Sequence, residues 1–185
     1  MEKRITAPLT LETVKDLKAG DSVLISGVIY TARDAAHKRL CELAAEGKPL
    51  PFDVENSVIY YVGPTPAKPG QVIGSAGPTT SGRMDAYSPR LLDLGQSIMI
   101  GKGARNQAVK NAVVRNGAVY LAALGGAGAL MAESVQELEV ICWEDLGCEA
   151  VRRLEVKDFP LTVILDAHGG DLYESGPAAY LAQSK

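Results

Sequence analysis

The sequence alternates short apolar runs with stretches of helical character, and this alternation restricts the chain to a small set of folds. Residues 23–30 are rich in β-branched side chains and almost continuously apolar, which indicates a buried strand. Residues 34–46 are rich in Ala, Leu and Lys and predict a helix that stops at Gly47. Because this order of strand and helix recurs along the chain, we predict an α/β layered domain.

The remaining elements follow from the same patterns. Further strands are predicted at residues 58–62, 72–76, 97–100, 118–122, 138–143 and 161–166. Helices are predicted at 88–95, with Ser88 as the N-cap and Pro89 as the first helical residue, and at 106–115. Residues 9–14 fit a strand or a single helical turn, residues 125–128 a flexible connector, and residues 176–185 one helical turn or a frayed tail.

Composition narrows the classes of protein. A chain of 185 residues with 46% hydrophobic and 22% charged residues predicts one globular domain over residues 1–185. The net charge of −3 gives no indication of nucleic acid or of an anionic membrane as a partner. No apolar run reaches the ~20 residues of a membrane helix, and the N-terminus lacks the apolar core of a signal peptide, so we expect a cytoplasmic protein. Cys41, Cys142 and Cys148 have no CxxC spacing and are predicted to be ordinary thiols.

Three cationic residues stand where a predicted strand gives way to a predicted helix. They are Arg33, Arg83 and Lys102. Helix N-termini favour anions because their N–H groups are unpaired and the helix dipole is positive there. Fixed positive charge at three such junctions suggests a site for a small polyanion such as a dicarboxylate.

Two glycine-containing segments surround these cations. Residues 77–83, Gly-Pro-Thr-Thr-Ser-Gly-Arg, combine glycines that permit close backbone approach with hydroxyls that can bond carboxylate or phosphate oxygens. If a helical turn begins near Thr79, then Thr79 and Arg83 share one face; the alternative is a capped helix start with a surface arginine. Residues 101–106 resemble a dinucleotide fingerprint only weakly, because Asn106 stands at the third glycine position, and a tight turn with a solvated lysine is the alternative.

The two histidines carry weaker signals. His37 lies one turn beyond Arg33 and either helps to orient a ligand or is an ordinary half-buried side chain. His168 belongs to residues 166–171, which offer two carboxylates. Because a metal site needs three or four ligands, we interpret this segment as a polar turn.

Taken together, residues 29–37, 77–85 and 101–103 resemble the C-terminal or β-subunit region of the class I iron–sulfur hydro-lyases. This family includes class I fumarate hydratase and L(+)-tartrate dehydratase, and the resemblance covers essentially the whole chain. It implies a swivelling β/β/α domain and a 4Fe-4S cluster held by three cysteines of a partner α subunit. The three cysteines of this chain do not match the cluster positions.

The resemblance also implies roles for individual residues. Arg33, Arg83 and Lys102 match the family's ligands of the substrate carboxylates, and Thr79 matches the threonine proposed as catalytic base. The expected protein is a β subunit that completes the active site of a cluster-bearing α subunit, in an αβ unit that dimerises. The expected reaction is the reversible hydration of fumarate to L-malate. L(+)-tartrate dehydratase and a non-catalytic dicarboxylate-binding module are the alternatives, and a purely structural partner would leave the three cations unexplained.

Overall fold

The computed structural model describes residues 2–183 and shows a mixed α/β fold. The strands are β1 Glu2–Ala7, β2 Ser22–Thr31, β3 Val58–Tyr60, β4 Ile98–Gly101, β5 Val119–Ala122, β6 Val135–Cys142 and β7 Val151–Leu165. The helices are α1 Leu11–Val14, α2 Asp34–Ala45, α3 Ser88–Asp93, α4 Gln107–Asn116, α5 Gly128–Glu133 and α6 Leu172–Gln183. Two 3₁₀ helices cover Ser81–Met84 and Glu144–Glu149. Every helix within residues 2–183 is too short or too polar to cross a bilayer.

The sheet closes into a barrel because two long strands each have partners on both edges. β2 and β7 run antiparallel, paired from Ser22 with Thr162 to Thr31 with Arg152. On its other edge β2 pairs with β1 along its first half and with β3 at its end, while β7 pairs with β6 and then with β5. The parallel pairs β3–β4 and β4–β5 complete the ring. The expected α/β fold of the swivelling β/β/α type is confirmed, and the structure adds that the sheet closes into a barrel.

Strands β3, β4 and β5 bury both faces, which explains their continuously apolar sequences. Val58, Tyr60, Ile98 and Ile100 belong to the hydrophobic cluster inside the barrel, together with residues of β2 and β7. The intervening residues point outward and pack against α2, α3 and α4 in a second cluster; they include Ile59, Tyr61, Met99 and Tyr120. Since successive side chains of a strand alternate between faces, each short strand serves both cores.

Parallel pairing also brings strand ends together. The carboxyl ends of β2, β3, β4 and β5 lie at one rim of the barrel, because all four strands run in the same direction. The pairing continues beyond the strands: Ala32 N donates to Tyr60 O at 3.2 Å, Tyr61 N to Ile100 O at 2.8 Å and Ala123 N to Gly101 O at 2.9 Å. The first residues of the loops that follow these strands are therefore hydrogen-bonded to neighbouring strands.

The predicted strand at residues 72–76 is wrong, because this segment is a loop. Thr65 closes the loop: its N donates to Ser75 O at 3.1 Å and its hydroxyl oxygen accepts from Ser75 N at 2.8 Å. Ile73 and Ala76 are buried, so their apolar character reflects packing beneath the loop rather than membership of the sheet.

Other element boundaries also differ from the sequence predictions. Residues 9–14 form the single turn α1, capped by the Thr10 hydroxyl, which accepts from Thr13 N. The connector at 125–128 leads directly into α5, and residues 161–166 are only the end of the 15-residue β7. The prediction of Ser88 as N-cap is wrong: Ser88 is the first residue of α3 and Tyr87 is its N-cap. The Ser88 hydroxyl does not cap the helix but donates to Met84 O at 3.0 Å. The tail forms most of α6, and residues 184–185 of the predicted turn lie outside the described residues.

Candidate functional site

Arg33 and Lys102 stand directly beyond the ends of parallel strands at the same rim. Arg33 follows β2 and is the N-cap of α2. Lys102 follows β4 and precedes α4, whose N-cap is Asn106. The expectation that these two cations occupy strand-to-helix junctions is therefore confirmed.

The segment that carries Thr79 and Arg83 lies across the ends of β3 and β4. Thr79 N donates to Tyr61 O at 2.7 Å, and Ser81 N donates to Lys102 O at 2.8 Å. A side chain at Gly101 would stand 2.0 Å from Ser81 Oγ, so glycine is required for this close approach. Thr79 and Lys102 are consequently held on neighbouring stretches of backbone.

Arg83 is placed differently from the prediction. It belongs to the 3₁₀ helix Ser81–Met84, which is preceded by a loop and not by a strand, so it does not lie at a strand-to-helix junction. The helix begins after Thr79, so the condition for a shared helical face of Thr79 and Arg83 is not met. The glycine-rich stretch that precedes this helix lies against the barrel ends instead of starting an α-helix, because its amides pair with β3 and β4.

Each arginine is paired with a carboxylate. Arg33 Nη2 lies 3.0 Å from Glu149 Oε1, and Arg83 Nε donates to Asp34 Oδ2 at 2.9 Å. Arg33 is mostly buried, with 17% of its side chain exposed, whereas Arg83 is 49% exposed. Within residues 2–183, Arg33 Nε is buried without a hydrogen-bond partner.

Lys102 and Thr79 keep their functional groups unpaired. Among the described residues the Lys102 ammonium forms no ion pair, and the Thr79 hydroxyl has no hydrogen-bond partner. The three cations with the carboxylates of Asp34 and Glu149 leave the rim with one net positive charge. Electrostatics alone therefore attracts an anion only modestly, and directed donors must supply the rest of its binding.

A buried ion pair that the sequence analysis missed supports this rim from below. Arg105, with none of its side chain exposed, forms a salt bridge from Nε to Asp85 Oδ1 at 2.6 Å. Its guanidinium carbon lies 5.5 Å from the ring centre of Tyr61 and 5.0 Å from that of Tyr120. Asp85 Oδ2 also accepts from Asn106 N at 2.7 Å. Asp85 thus links the segment that carries Arg83 to the start of α4.

A chain of hydroxyl groups links Lys102 to the same region. The Tyr120 hydroxyl donates to Gly103 O at 2.9 Å, so Ser81, 2.9 Å away, donates to Tyr120. Ser81 Oγ in turn accepts from Lys102 N at 3.0 Å. No local sequence pattern predicts these hydroxyl bonds. For the buried ion pair, the sequence offers only the positions of Asp85 and Arg105 next to glycine-containing segments.

His37 is fully buried beneath Arg33 on α2. Its Nδ1 lies 3.0 Å from Arg33 O, which can only accept, so Nδ1 carries the proton. Its ring meets Tyr61 edge-on, with centroids 5.1 Å apart. Burial, more than any other cause, lowers the pKa of His37 to about 4. His37 is therefore neutral at pH 7 and supports Arg33 through the backbone.

The cysteines and the last turn show no metal-binding geometry. Cys41 is half-buried on α2, Cys142 ends β6, and Cys148 is exposed in the 3₁₀ helix Glu144–Glu149. Burial raises the pKa of the Cys142 thiol to about 11 and also raises that of Cys41. No group of three His, Cys, Asp or Glu side chains among residues 2–183 could hold a metal ion.

Residues 166–171 form a polar turn, as the sequence predicts. The carboxylate of Asp166 accepts from the backbone N–H groups of Ala19, His168 and Gly170. These bonds fix the turn that joins β7 to α6. Asp166 thus bonds both to the backbone of its own turn and to that of residue 19.

Comparison with known proteins identifies the family to which the chain is similar. Residues 2–176 match the family model described as the fumarase C-terminus. The chain is 41% identical over 152 residues to the anaerobic class I fumarate hydratase of Escherichia coli (strain K12), covering 81% of this chain and 28% of that protein. It is 39% identical over 156 residues to fumarate hydratase 2 of Leishmania major, covering 83% of this chain and 28% of that protein.

A third relative is similar in length to the chain. A Methanocaldococcus jannaschii protein provisionally named L(+)-tartrate dehydratase subunit beta is 42% identical over 172 residues, covering 90% of this chain and 88% of that protein. The chain thus spans about 28% of the fumarate hydratases but most of this subunit.

Proposed function

The chain belongs to the fumarase C-terminus family, and from this premise we propose that it is the β subunit of an iron–sulfur-dependent hydro-lyase. The proposed reaction is the reversible hydration of fumarate to L-malate. One observation supports this more than any other: Arg33, Lys102 and the Thr79–Arg83 segment share one rim of the barrel through the pairing of β2, β3 and β4.

The three cations are proposed to hold the two substrate carboxylates. Lys102 has all three ammonium donors available among the described residues, and each arginine keeps donors beyond those used for Glu149 or Asp34. When a proton leaves the carbon next to a carboxylate, negative charge moves onto that carboxylate. Fixed cations stabilise this charge without reorganising, which lowers the barrier.

Thr79 is proposed to be the catalytic base, which accepts the proton that leaves the substrate carbon. A threonine hydroxyl is a weak base unless a neighbouring group activates it, and no described residue bonds to the Thr79 hydroxyl. The activating group would come from the partner subunit. The bond from Thr79 N to Tyr61 O fixes the backbone of Thr79 at the rim, where a partner subunit could reach the hydroxyl.

The residues of this chain do not fit a 4Fe-4S cluster. Cys41, Cys142 and Cys148 lie on three different elements, and the Cys41 thiol lies 3.7 Å from Tyr87 O, which it serves as a donor. We therefore assign the cluster to the α subunit, and the αβ unit is proposed to dimerise. Three free thiols suit a reducing compartment, which supports a cytoplasmic complex.

L(+)-tartrate dehydratase is the second candidate. The observation in its favour is the relative from Methanocaldococcus jannaschii, which is named as a β subunit and matches over most of its length. Both candidates are four-carbon dicarboxylate hydro-lyases and would use the same cations.

An anaerobic assay tests the proposal. The purified chain is assayed alone and then with a candidate α subunit and reconstituted cluster, against L-malate and L-tartrate. We expect activity only in the mixture, with the faster substrate deciding between the two candidates. No activity in either sample, with malate binding to the chain alone by calorimetry, would favour the non-catalytic binding module.

Thr79→Ala in the active mixture tests the role of the hydroxyl. Loss of a general base lowers turnover by roughly 10²–10⁴-fold, and we expect a loss in that range. Near-normal turnover would remove Thr79 from the base role and leave it as a substrate ligand. Thr80→Ala is the matched control, because Thr80 is the exposed neighbour in the same segment.

A further inference from the structure

The connector between β6 and β7 delivers a carboxylate to Arg33. This connector contains the 3₁₀ helix Glu144–Glu149 and starts at Trp143, which adopts a left-handed backbone with φ 60° and ψ 48°. Glu149 is its last helical residue and only 19% of its side chain is exposed. The Glu149 side chain is therefore mostly buried and is not a freely solvated surface carboxylate.

Glu149 makes two bonds that converge on the start of α2. Oε1 lies 3.0 Å from Arg33 Nη2, and Oε2 accepts from Ala35 N at 3.2 Å. Arg33 is the N-cap of α2 but its side chain makes no capping bond, so Glu149 supplies the acceptor that this helix start lacks. A carboxylate at a helix N-terminus is also favoured by the dipole.

Backbone confines the guanidinium of Arg33 on another side. A side chain at Gly63 would stand 2.6 Å from Arg33 Nη1 and 3.3 Å from Cys148 O. The guanidinium therefore lies against Gly63 and contacts the connector through Glu149. With Nη2 engaged by Glu149, Arg33 Nε is buried without a hydrogen-bond partner among residues 2–183, and Asp34 Oδ1 lies 4.0 Å from it.

We propose that Glu149 is a positioning residue that fixes the orientation of Arg33 and so directs its remaining donors toward a substrate carboxylate. This proposal rests on the proposed function, because it assigns Arg33 a substrate to hold. Glu149 acts through Arg33 and is not proposed to touch the substrate. Glu149 lies outside the sequence motifs at 29–37, 77–85 and 101–103.

The chain contains a matched control for this proposal. Asp145 lies in the same 3₁₀ helix and binds Arg39 of the same helix α2, with Arg39 Nη1 donating to Oδ1 at 3.0 Å. This pair is far more exposed, at 36% for Arg39 and 62% for Asp145. Asp145→Ala therefore removes an arginine-bound carboxylate from the same connector without reaching Arg33.

The test uses Glu149→Ala, Glu149→Gln and Asp145→Ala in the assembled enzyme. We expect Glu149→Ala to raise the KM for L-malate by roughly tenfold with a smaller change in kcat, since a misdirected Arg33 guanidinium binds the substrate carboxylate less tightly. Glu149→Gln keeps one oxygen as an acceptor and should recover part of the loss. Asp145→Ala should behave as wild type.

A second measurement follows Arg33 directly in the chain alone. In ¹⁵N–¹H spectra of arginine side chains, the Arg33 Nε–Hε signal, identified by its loss in Arg33→Lys, should show fast solvent exchange in Glu149→Ala but not in Asp145→Ala. Unchanged exchange and unchanged KM in Glu149→Ala would overturn the proposal, as would a lower KM, which would indicate that Glu149 competes with the substrate. A wild-type assembly inactive on malate and tartrate would overturn the proposed function and this proposal together.

Discussion

At the scale of single residues, the three cations of the rim differ in what holds them. Arg33 is mostly buried against Glu149, Arg83 is half exposed and paired with Asp34, and the Lys102 ammonium has no ion-pair partner among the described residues. The proposed substrate carboxylates would therefore meet one mostly buried guanidinium, one half-exposed guanidinium and one ammonium point charge. Because Arg33 is the more buried of the two arginines, we expect it to set the orientation of the substrate.

The buried histidine gives a residue-scale prediction about pH. Burial lowers the pKa of His37 to about 4, while an unfolded chain titrates near its ordinary value of 6.5. Between these values the unfolded chain binds one more proton than the folded chain, so the free energy of unfolding falls as the pH falls. The His37 contribution to this loss from pH 7 to pH 4 is on the order of 3 kcal/mol.

Urea denaturation of wild type and His37→Asn at pH 7 and pH 4.5 measures the effect. Asn keeps an amide near the position of Nδ1 but does not titrate. We expect a clearly smaller loss of stability in the variant over this pH interval, whatever its stability at pH 7. An identical loss in both proteins would show that the carboxylates, and not His37, set the acid sensitivity.

At the scale of elements, the site depends on how a 3₁₀ helix is attached to the start of an α-helix. Asp85 follows the helix Ser81–Met84 and receives bonds from both Arg105 and the N-cap residue Asn106. Because the ion pair is buried, losing one partner leaves the other charge without compensation. The attachment is therefore both strong and intolerant of single substitutions.

Arg105→Met tests this attachment. We expect it to lower the free energy of unfolding by roughly 3–5 kcal/mol, since the buried Asp85 carboxylate is left unpaired. Arg115→Met is the control, because Arg115 pairs with Asp93 at the surface, with 53% and 41% of the side chains exposed, and should cost about 1 kcal/mol or less. Equal effects in chemical denaturation would contradict the buried-pair argument.

Sequence predicted the elements whose own residues determine them. The strand at 23–30 and the helices at 34–46 and 106–115 follow from local periodicity and from glycines such as Gly117, whose φ of 69° ends α4. The loop at 72–76 was mistaken for a strand because its buried Ile73 and Ala76 look like sheet residues. The early part of β7 was missed because Arg152, Arg153, Glu155 and Lys157 interrupt its apolar pattern.

The site was predictable only in part for the same reason. Arg33 and Lys102 stand next to strands that can be recognised, so their shared rim follows from parallel pairing. Glu149 and Arg105 reach the site through contacts across 114 and 20 residues of chain, respectively, which no local pattern encodes.

At the scale of the whole molecule, the longest strand pairing of the barrel is the antiparallel seam between β2 and β7. β2 and β7 are paired over most of their length and each has neighbours on both edges, whereas within residues 2–183 β1 pairs only with β2 and β6 only with β7. The exposed edge of β6 carries Glu137 and Glu139, and such charges hinder pairing with another chain. Stability should therefore decrease from the seam toward the two edge strands.

Native-state hydrogen exchange tests this gradient. We expect amides of β2 and β7 at the seam, such as those of Ile29 and Leu154, to exchange only by global unfolding, and amides of β6 to exchange at least roughly tenfold faster through local opening. Uniform protection across all strands would mean that the barrel opens only as one unit.

The connector that carries Glu149 also contains the sole tryptophan of the 185 residues. Trp143 precedes the 3₁₀ helix, and the guanidinium carbon of Arg39 lies 5.6 Å from the centre of its ring. Its fluorescence therefore arises from a single place, a few residues from the carboxylate bound to Arg33. The chain thus carries its own optical probe beside the connector, and a change in emission on adding malate or a partner subunit would report a change around the connector without any label.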